Sequence, residues 1–121
     1  MRKIIIDTDT ATDDAVAIMM ALKNESFNIM AITTVAGNVD LNQATSNALY
    51  TCEICDKYVP VYKGEGHPLK RKLETSKFFH GKDGLGDTGP YKPSKKAEAE
   101  NAINQIISLI NKYPNEIEII A

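Results

Sequence analysis

The sequence has no long apolar run and few cysteines. Its longest apolar run, Ala15–Leu22, has 8 residues, whereas a helix that crosses a bilayer needs about 20. The apolar residues that follow Met1 stop at Asp7, which is too early for an export signal. Cys52 and Cys55 are the only cysteines, and their spacing in a predicted helix favours core packing as thiols. We therefore expect a cytoplasmic protein that does not bind a membrane.

The sequence also lacks a strong overall charge. Its formal net charge is −2, which creates no field that would attract nucleic acid. The charge is uneven, because residues 63–96 carry 9 basic and 4 acidic side chains between two acidic flanks. This basic segment contains Lys70, Arg71 and Lys72 without an accompanying stacking motif. We interpret it as a solvated surface and expect no nucleic acid partner.

The apolar pattern is typical of an α/β domain. Hydrophobic residues make up 43% of the chain and charged residues 25%, as in ordinary globular domains. The sequence predicts strands near 4–6, 27–35, 59–62 and 116–121, with helices near 12–24, 40–57 and 94–113. Thr12 and Ser94 are the expected helix caps. Because strands and helices alternate, we expect a mostly parallel sheet with helices on both faces.

Two further expectations concern the organisation of this sheet. Residues 63–96 contain six glycines and three prolines, and a loop of this length is usually functional, so we predict a mobile lid there. The fourth predicted strand ends at Ala121, the last residue. We therefore expect an open α/β sheet truncated after its fourth strand, with residues 1–121 forming the amino-terminal portion of a single domain.

Four aspartates lie within eight residues, where the first strand leads into the first helix. Asp13 and Asp14 alone would suit a solvated turn at the positive end of the helix dipole, but that explanation leaves out Asp7 and Asp9. Carboxylates this close repel one another unless a cation or hydrogen bonds compensate. Oxygen ligands favour a hard cation, and a site with room for 6–8 oxygens suits Ca²⁺ better than Mg²⁺. We interpret the aspartates as part of a metal site.

Two alternatives remain open for this turn. Asp7-Thr8-Asp9-Thr10 matches the DxDxT pattern of haloacid-dehalogenase-like phosphatases, in which Asp7 would be the nucleophile, Asp9 its acid/base partner and Mg²⁺ the ion. That pattern does not explain Asp13 or Asp14. The other alternative is that the chain is an inactive fragment or a non-catalytic partner subunit.

Three segments together resemble the inosine–uridine-preferring nucleoside hydrolase family. They are IIIDTDTATDDAVAI at 4–18, AITTVAGN at 31–38 and HGKDGLG at 80–86, and the corresponding family motifs read DTDxGxDD, TTVxGN and HGxxG in the same order. The resemblance implies that purine or pyrimidine ribonucleosides are hydrolysed to base and ribose by a Ca²⁺-bound water. It also implies a role in nucleoside salvage and a homo-oligomer at full length.

The resemblance also assigns roles to individual residues. It implies that Asp9 is a metal ligand and the general base, and that Asp14 is a second metal ligand. Asp7 would be a further metal ligand, or it would orient the ligands without contacting the metal itself. The substrate-binding residues would be Asp13 at the ribose hydroxyls, Asn38 at the ribose end of the pocket and His80 near the base.

The sequence departs from the family pattern in two ways. Thr10-Ala11 stands where the family has Pro-Gly, so we expect a modest local change of the turn. Family members are also longer, and their later half supplies further metal ligands and the acid that protonates the leaving base. We therefore expect the isolated chain to bind Ca²⁺ weakly and to turn over slowly or not at all.

Overall fold

Four parallel strands form one sheet in the computed structural model, which describes residues 1–121. The strands are β1 (Arg2–Thr8), β2 (Phe27–Thr34), β3 (Val61–Lys63) and β4 (Ile117–Ile120), and the helices are α1 (Thr12–Lys23), α2 (Leu41–Ile54), α3 (Lys77–His80) and α4 (Ala102–Lys112). The strand order is β3-β2-β1-β4, and every neighbouring pair is parallel. The predicted α/β class with a parallel sheet is confirmed.

Helices cover both faces of the sheet because successive strand residues point to opposite sides. Ile4, Ile6 and Ile32 are buried in the larger core cluster, which also contains residues of α1 and α2. Ile5, which lies between Ile4 and Ile6, is fully buried on the opposite face with Leu109 of α4. These strands are therefore apolar on both sides, as expected for the centre of a parallel sheet.

The strand order reverses beside β1. The chain runs outward from β1 to β2 and β3, and then returns through α4 to place β4 on the other side of β1. Ile6 of β1 pairs with Ile120 of β4 at this junction. In open parallel sheets, ligands bind outside the carboxyl ends of the strands at such a reversal. Asp7 and Thr8 end β1, so the aspartate-rich segment begins at this position.

Both predicted helix caps are wrong. Ala11 is the N-cap of α1, and its N–H donates to the Asp14 carboxylate at 3.1 Å, so Thr12 is already inside the helix. Helix α4 begins later than predicted, after Asn101, whose side chain accepts the N–H of Ile103 at 2.8 Å. Ser94 instead donates both its N–H and its hydroxyl to Glu53 of α2, which holds residue 94 away from the helix start.

The segment 63–96 is irregular apart from its first residue, which ends β3, and the short helix α3. The segment is a long loop in the structure, while its mobility and its role as a lid stay predictions. Helix α2 ends three residues earlier than predicted, and Asp56 follows it with a positive φ of 52°. No helix combines the length and apolar character that a membrane span requires.

Candidate active site at the carboxyl end of the sheet

The turn after β1 and the turn after β2 are joined through Asp9. The N–H of Asn38 donates to Oδ2 of Asp9 at 2.8 Å. Gly37 allows this approach, because a Cβ atom at residue 37 would lie 2.3 Å from the same oxygen. Two of the three segments singled out in the sequence therefore meet at one carboxylate. Its other oxygen, Oδ1, takes no hydrogen bond from the protein.

Asn38 also reaches Asp14, so it connects two of the predicted metal ligands. Its side-chain Nδ2 donates to Oδ2 of Asp14 at 3.4 Å, a long contact, and the N–H of Ala11 donates to the same oxygen at 3.1 Å. Asp9 and Asp14 are thus held on either side of one asparagine. The structure brings these three predicted site residues together.

The electrostatics of this cluster are unfavourable for bare carboxylates. Partial burial raises the pKa of Asp14 above its ordinary value, and the negative charges of Asp9 and Asp13 raise it further, while the N–H of Ala11 and the Asn38 amide lower it. When burial and neighbouring negative charges raise the pKa of a carboxyl group, a nearby positive charge stabilises its ionised form. The arrangement therefore suits a cation bound next to Asp9 and Asp14.

Asp7 contacts strand β2 and not Asn38. Its Oδ1 accepts the hydroxyl of Thr33 at 2.6 Å, so the neighbouring strand β2 fixes its orientation. Asp7 and Asp14 both line a small cleft of about 90 Å³ together with Ile120 of β4. This cleft marks the β1/β4 reversal, where ligand binding is expected.

The remaining predicted substrate residues are Asp13 in the first turn of α1 and His80 at the end of α3. Asp13 is exposed. Nδ1 of His80 shares a hydrogen bond of 2.8 Å with the hydroxyl of Thr12, so the end of α3 contacts the residue that directly precedes Asp13. The third sequence motif thereby approaches the first, although 68 residues separate Thr12 from His80.

Several residues that contribute to the site were missed from the sequence. Ser76 donates its hydroxyl to Oδ1 of Asn38 at 2.6 Å and its N–H to the Asn38 backbone oxygen at 2.9 Å. This contact orients the Asn38 amide so that its nitrogen faces Asp14. Thr33 and Gly37 belong to the recognised AITTVAGN segment, whereas Ser76 lies outside every motif and carried no sequence signal.

The residues present have the type of ligand atom that a hard cation prefers, but they supply too few ligands to complete its coordination shell. The side chains that would act as ligands, Asp9 and Asp14, are carboxylates, which suit Ca²⁺ or Mg²⁺. The structure gathers no group of three or more His, Cys, Asp or Glu side chains that could hold a metal. Since Ca²⁺ takes 6–8 oxygens, Asp9 and Asp14 would supply only part of its coordination shell.

The fold and the site define a parallel α/β protein with a carboxylate cluster at a reversal of strand order. Residues 4–121 match the family model described as inosine-uridine preferring nucleoside hydrolase. The chain therefore belongs to this family, as its motifs predicted.

Curated relatives and solved structures agree with this assignment. The chain is 42% identical to uridine nucleosidase 1 of Arabidopsis thaliana, covering 98% of the chain and 36% of the relative. It is 37% identical to the Escherichia coli pyrimidine-specific ribonucleoside hydrolase RihB, covering 98% of the chain and 38% of the relative. The solved plant nucleoside hydrolase PpNRh1 superposes with a TM-score of 0.90 at 40% identity, over 98% of this chain and 38% of that one.

A purine-preferring ribonucleoside hydrolase from Gardnerella vaginalis superposes equally well. Its TM-score is 0.91 at 36% identity, and the match covers 98% of this chain and 39% of that one. The chain thus spans less than two fifths of the length of each of these relatives. The family match favours the nucleoside hydrolase assignment over the phosphatase alternative.

Proposed function

We propose that the protein hydrolyses the N-glycosidic bond of ribonucleosides to give the free base and ribose. The observation that carries the proposal is the arrangement of Asp9, Asn38 and Asp14 at the carboxyl end of the sheet. Each belongs to a segment that matches the family motifs, and residues 4–121 match the family model. Nucleosidase names among the relatives support the same chemistry.

Asp9 is the proposed general base. One of its oxygens is fixed by the N–H of Asn38, which leaves Oδ1 to accept a proton from an attacking water. The water oxygen forms a bond to the anomeric carbon as the bond to the base nitrogen breaks, and the departing base keeps the electron pair of that bond and takes a proton from solvent water. The sugar passes through a cation-like transition state, which the negative charges of Asp9 and Asp14 stabilise.

Asp9 and Asp14 are the proposed ligands of Ca²⁺, with Asp7 supporting them. When bound, Ca²⁺ supplies a positive charge that holds a water and lowers its pKa. Asp13 is exposed beside this pair and is the proposed acceptor for ribose hydroxyls. Asn38, which Ser76 orients, is proposed to bind the ribose end of the substrate. His80, bonded to Thr12, is proposed to lie near the base.

We include uridine among the proposed substrates because relatives at 42% and 37% identity are named as uridine or pyrimidine hydrolases. Purine nucleosides stay in the proposal, since a purine-preferring structure is 36% identical. The proposal also includes a role in nucleoside salvage in the cytoplasm, assembly as a homo-oligomer and a segment 63–96 that acts as a lid.

The test uses the intact protein and a panel of nucleosides that includes uridine, cytidine and inosine. Free ribose is measured as reducing sugar, first with Ca²⁺ and then after chelation. We expect ribose release with at least one nucleoside, loss of the release on chelation and recovery on adding Ca²⁺. Absence of ribose from every nucleoside in the presence of Ca²⁺ would overturn the proposal. Release that persists after chelation would overturn the metal assignment alone.

A further inference from the structure

Asn47 of helix α2 connects the aspartate turn, residues 7–14, to the glycine turn, residues 81–87. The residue is 2% exposed. Its Nδ2 donates one hydrogen bond to the backbone oxygen of Thr10 at 3.0 Å and another to the backbone oxygen of Asp83 at 2.7 Å. Both amide hydrogens are therefore used, each on a different turn.

The orientation of this amide is fixed from the helix. Nε2 of Gln43, one helical turn earlier, donates to Oδ1 of Asn47 at 2.9 Å. The side-chain oxygen thus has a donor and the side-chain nitrogen has two acceptors, which excludes the flipped amide. A buried carbonyl oxygen without its donor is costly, so the buried oxygen of Thr10 depends on Asn47, and the same amide also holds the partly buried oxygen of Asp83.

The glycine turn packs tightly against the side chains of Val39 and Asn47. A Cβ atom at Gly84 would lie 2.9 Å from Cγ1 of Val39 and 3.1 Å from Nδ2 of Asn47, and Gly84 has a positive φ of 74°. Within the turn, the N–H of Gly86 donates to the backbone oxygen of His80 at 2.7 Å. The position of His80 is therefore linked to Asn47 through a short, ordered stretch of backbone.

We propose that Asn47 is a positioning residue that sets the aspartate turn and the His80 end of the segment 63–96 relative to each other. Thr10 follows Asp9 directly in the chain, so the hydrogen bond to its oxygen fixes the backbone that carries the proposed base. The hydrogen bond to Asp83 fixes the backbone that follows His80. The catalytic part of this inference rests on the proposed function, whereas the coupling of the two turns does not.

The experiment compares Asn47→Ala with Thr51→Val in the intact protein. Thr51 is buried on the same helix and donates only to the Asn47 backbone oxygen at 2.7 Å, so its variant controls for a general loss of helix stability. Hydrogen exchange is followed by mass spectrometry for residues 81–87, and kcat and KM are measured with a nucleoside well below the unfolding temperature of each variant.

We expect Asn47→Ala to speed exchange in residues 81–87 at least tenfold, to lower kcat and to raise KM, while Thr51→Val leaves all three within about twofold. Wild-type exchange in Asn47→Ala would overturn the coupling. Equal effects of the two variants would show a purely structural role and overturn positioning. Faster exchange with unchanged kcat and KM would also overturn the positioning role.

Two further outcomes are covered by the design. If Asn47→Ala does not fold, Gly84→Ala disturbs the same contact from the loop side, and the same tenfold faster exchange is expected. Wild-type exchange in that variant would then overturn the coupling. If the wild-type protein hydrolyses no nucleoside, the proposed function fails, and the exchange measurement alone decides whether Asn47 couples the two turns.

Discussion

Replacing Gly37 by alanine is expected to disable Asp9 without unfolding the protein. The new Cβ atom would lie 2.3 Å from Oδ2 and 2.8 Å from Cβ of Asp9. Comfortable separations of such atoms are about 3.5 Å, so the carboxylate must move by about 1 Å. The backbone φ of Gly37 lies outside the left-handed region, so the clash with Asp9 is the dominant effect.

The size of the effect follows from this displacement. A misplacement of about 1 Å in a catalytic group costs about 100-fold in rate. The shift also weakens the hydrogen bond from the N–H of Asn38 to Oδ2 of Asp9, and a hydrogen bond to a charged group contributes about 1.5–3 kcal/mol. We therefore expect kcat/KM for a nucleoside to fall by about 100-fold, which corresponds to about 2.7 kcal/mol.

The assay measures ribose release and the urea unfolding midpoint in parallel. Gly66→Ala is the matched control, because a Cβ atom at residue 66 meets nothing within 4 Å, and we expect it to keep wild-type kcat/KM. If Gly37→Ala stayed within threefold of the wild-type kcat/KM, the proposed role of Asp9 at this contact would be refuted.

Three other predictions test separate parts of the structure. Asp7→Asn should lower nucleoside hydrolysis by about 10- to 100-fold without abolishing it, whereas a phosphatase with Asp7 as nucleophile would lose its activity completely; ribose and phosphate release distinguish the two. Burial raises the pKa of Cys52 from 9.0 to about 11, so iodoacetamide at pH 8 should label this thiol much more slowly in the folded chain than in urea. Because the folded state keeps this proton to higher pH, the free energy of unfolding should decrease as the pH rises from about 9 to 11; labelling at the unfolded rate would contradict the burial. Ile5→Ala should lower the free energy of unfolding by about 2–5 kcal/mol in urea titration, while Ile119→Ala, at a half-exposed position paired with Ile5, should cost about 1 kcal/mol or less.

The sequence predicted the architecture because local patterns determine it. Apolar residues on both faces of β1 and β2 required helices on both sides, and the alternation of elements required parallel pairing. The positions of Asp9, Asp14 and Asn38 also followed, since the carboxyl ends of parallel strands lie at one edge of the sheet. Their meeting in the structure agrees with that expectation.

Helix starts and long-range side-chain contacts could not be predicted in this way. Thr12 and Ser94 are good cap residues by type, but a hydrogen bond to His80 engages the first and contacts with Glu53 engage the second. Ser76 and Asn47 contact residues that lie 38 and 36 positions away. Such contacts depend on the final packing of an irregular segment, which has no periodicity to indicate them.

The most direct test of the proposed function compares Asp9→Asn with Asp56→Asn in the intact protein at saturating uridine with Ca²⁺. Asp56 is exposed and has a positive φ of 52°, a conformation that asparagine adopts readily. We predict that Asp56→Asn releases ribose at the wild-type rate, while Asp9→Asn, which lacks the proposed base, is slower by at least 100-fold. Ribose release by Asp9→Asn at the wild-type rate would contradict the account.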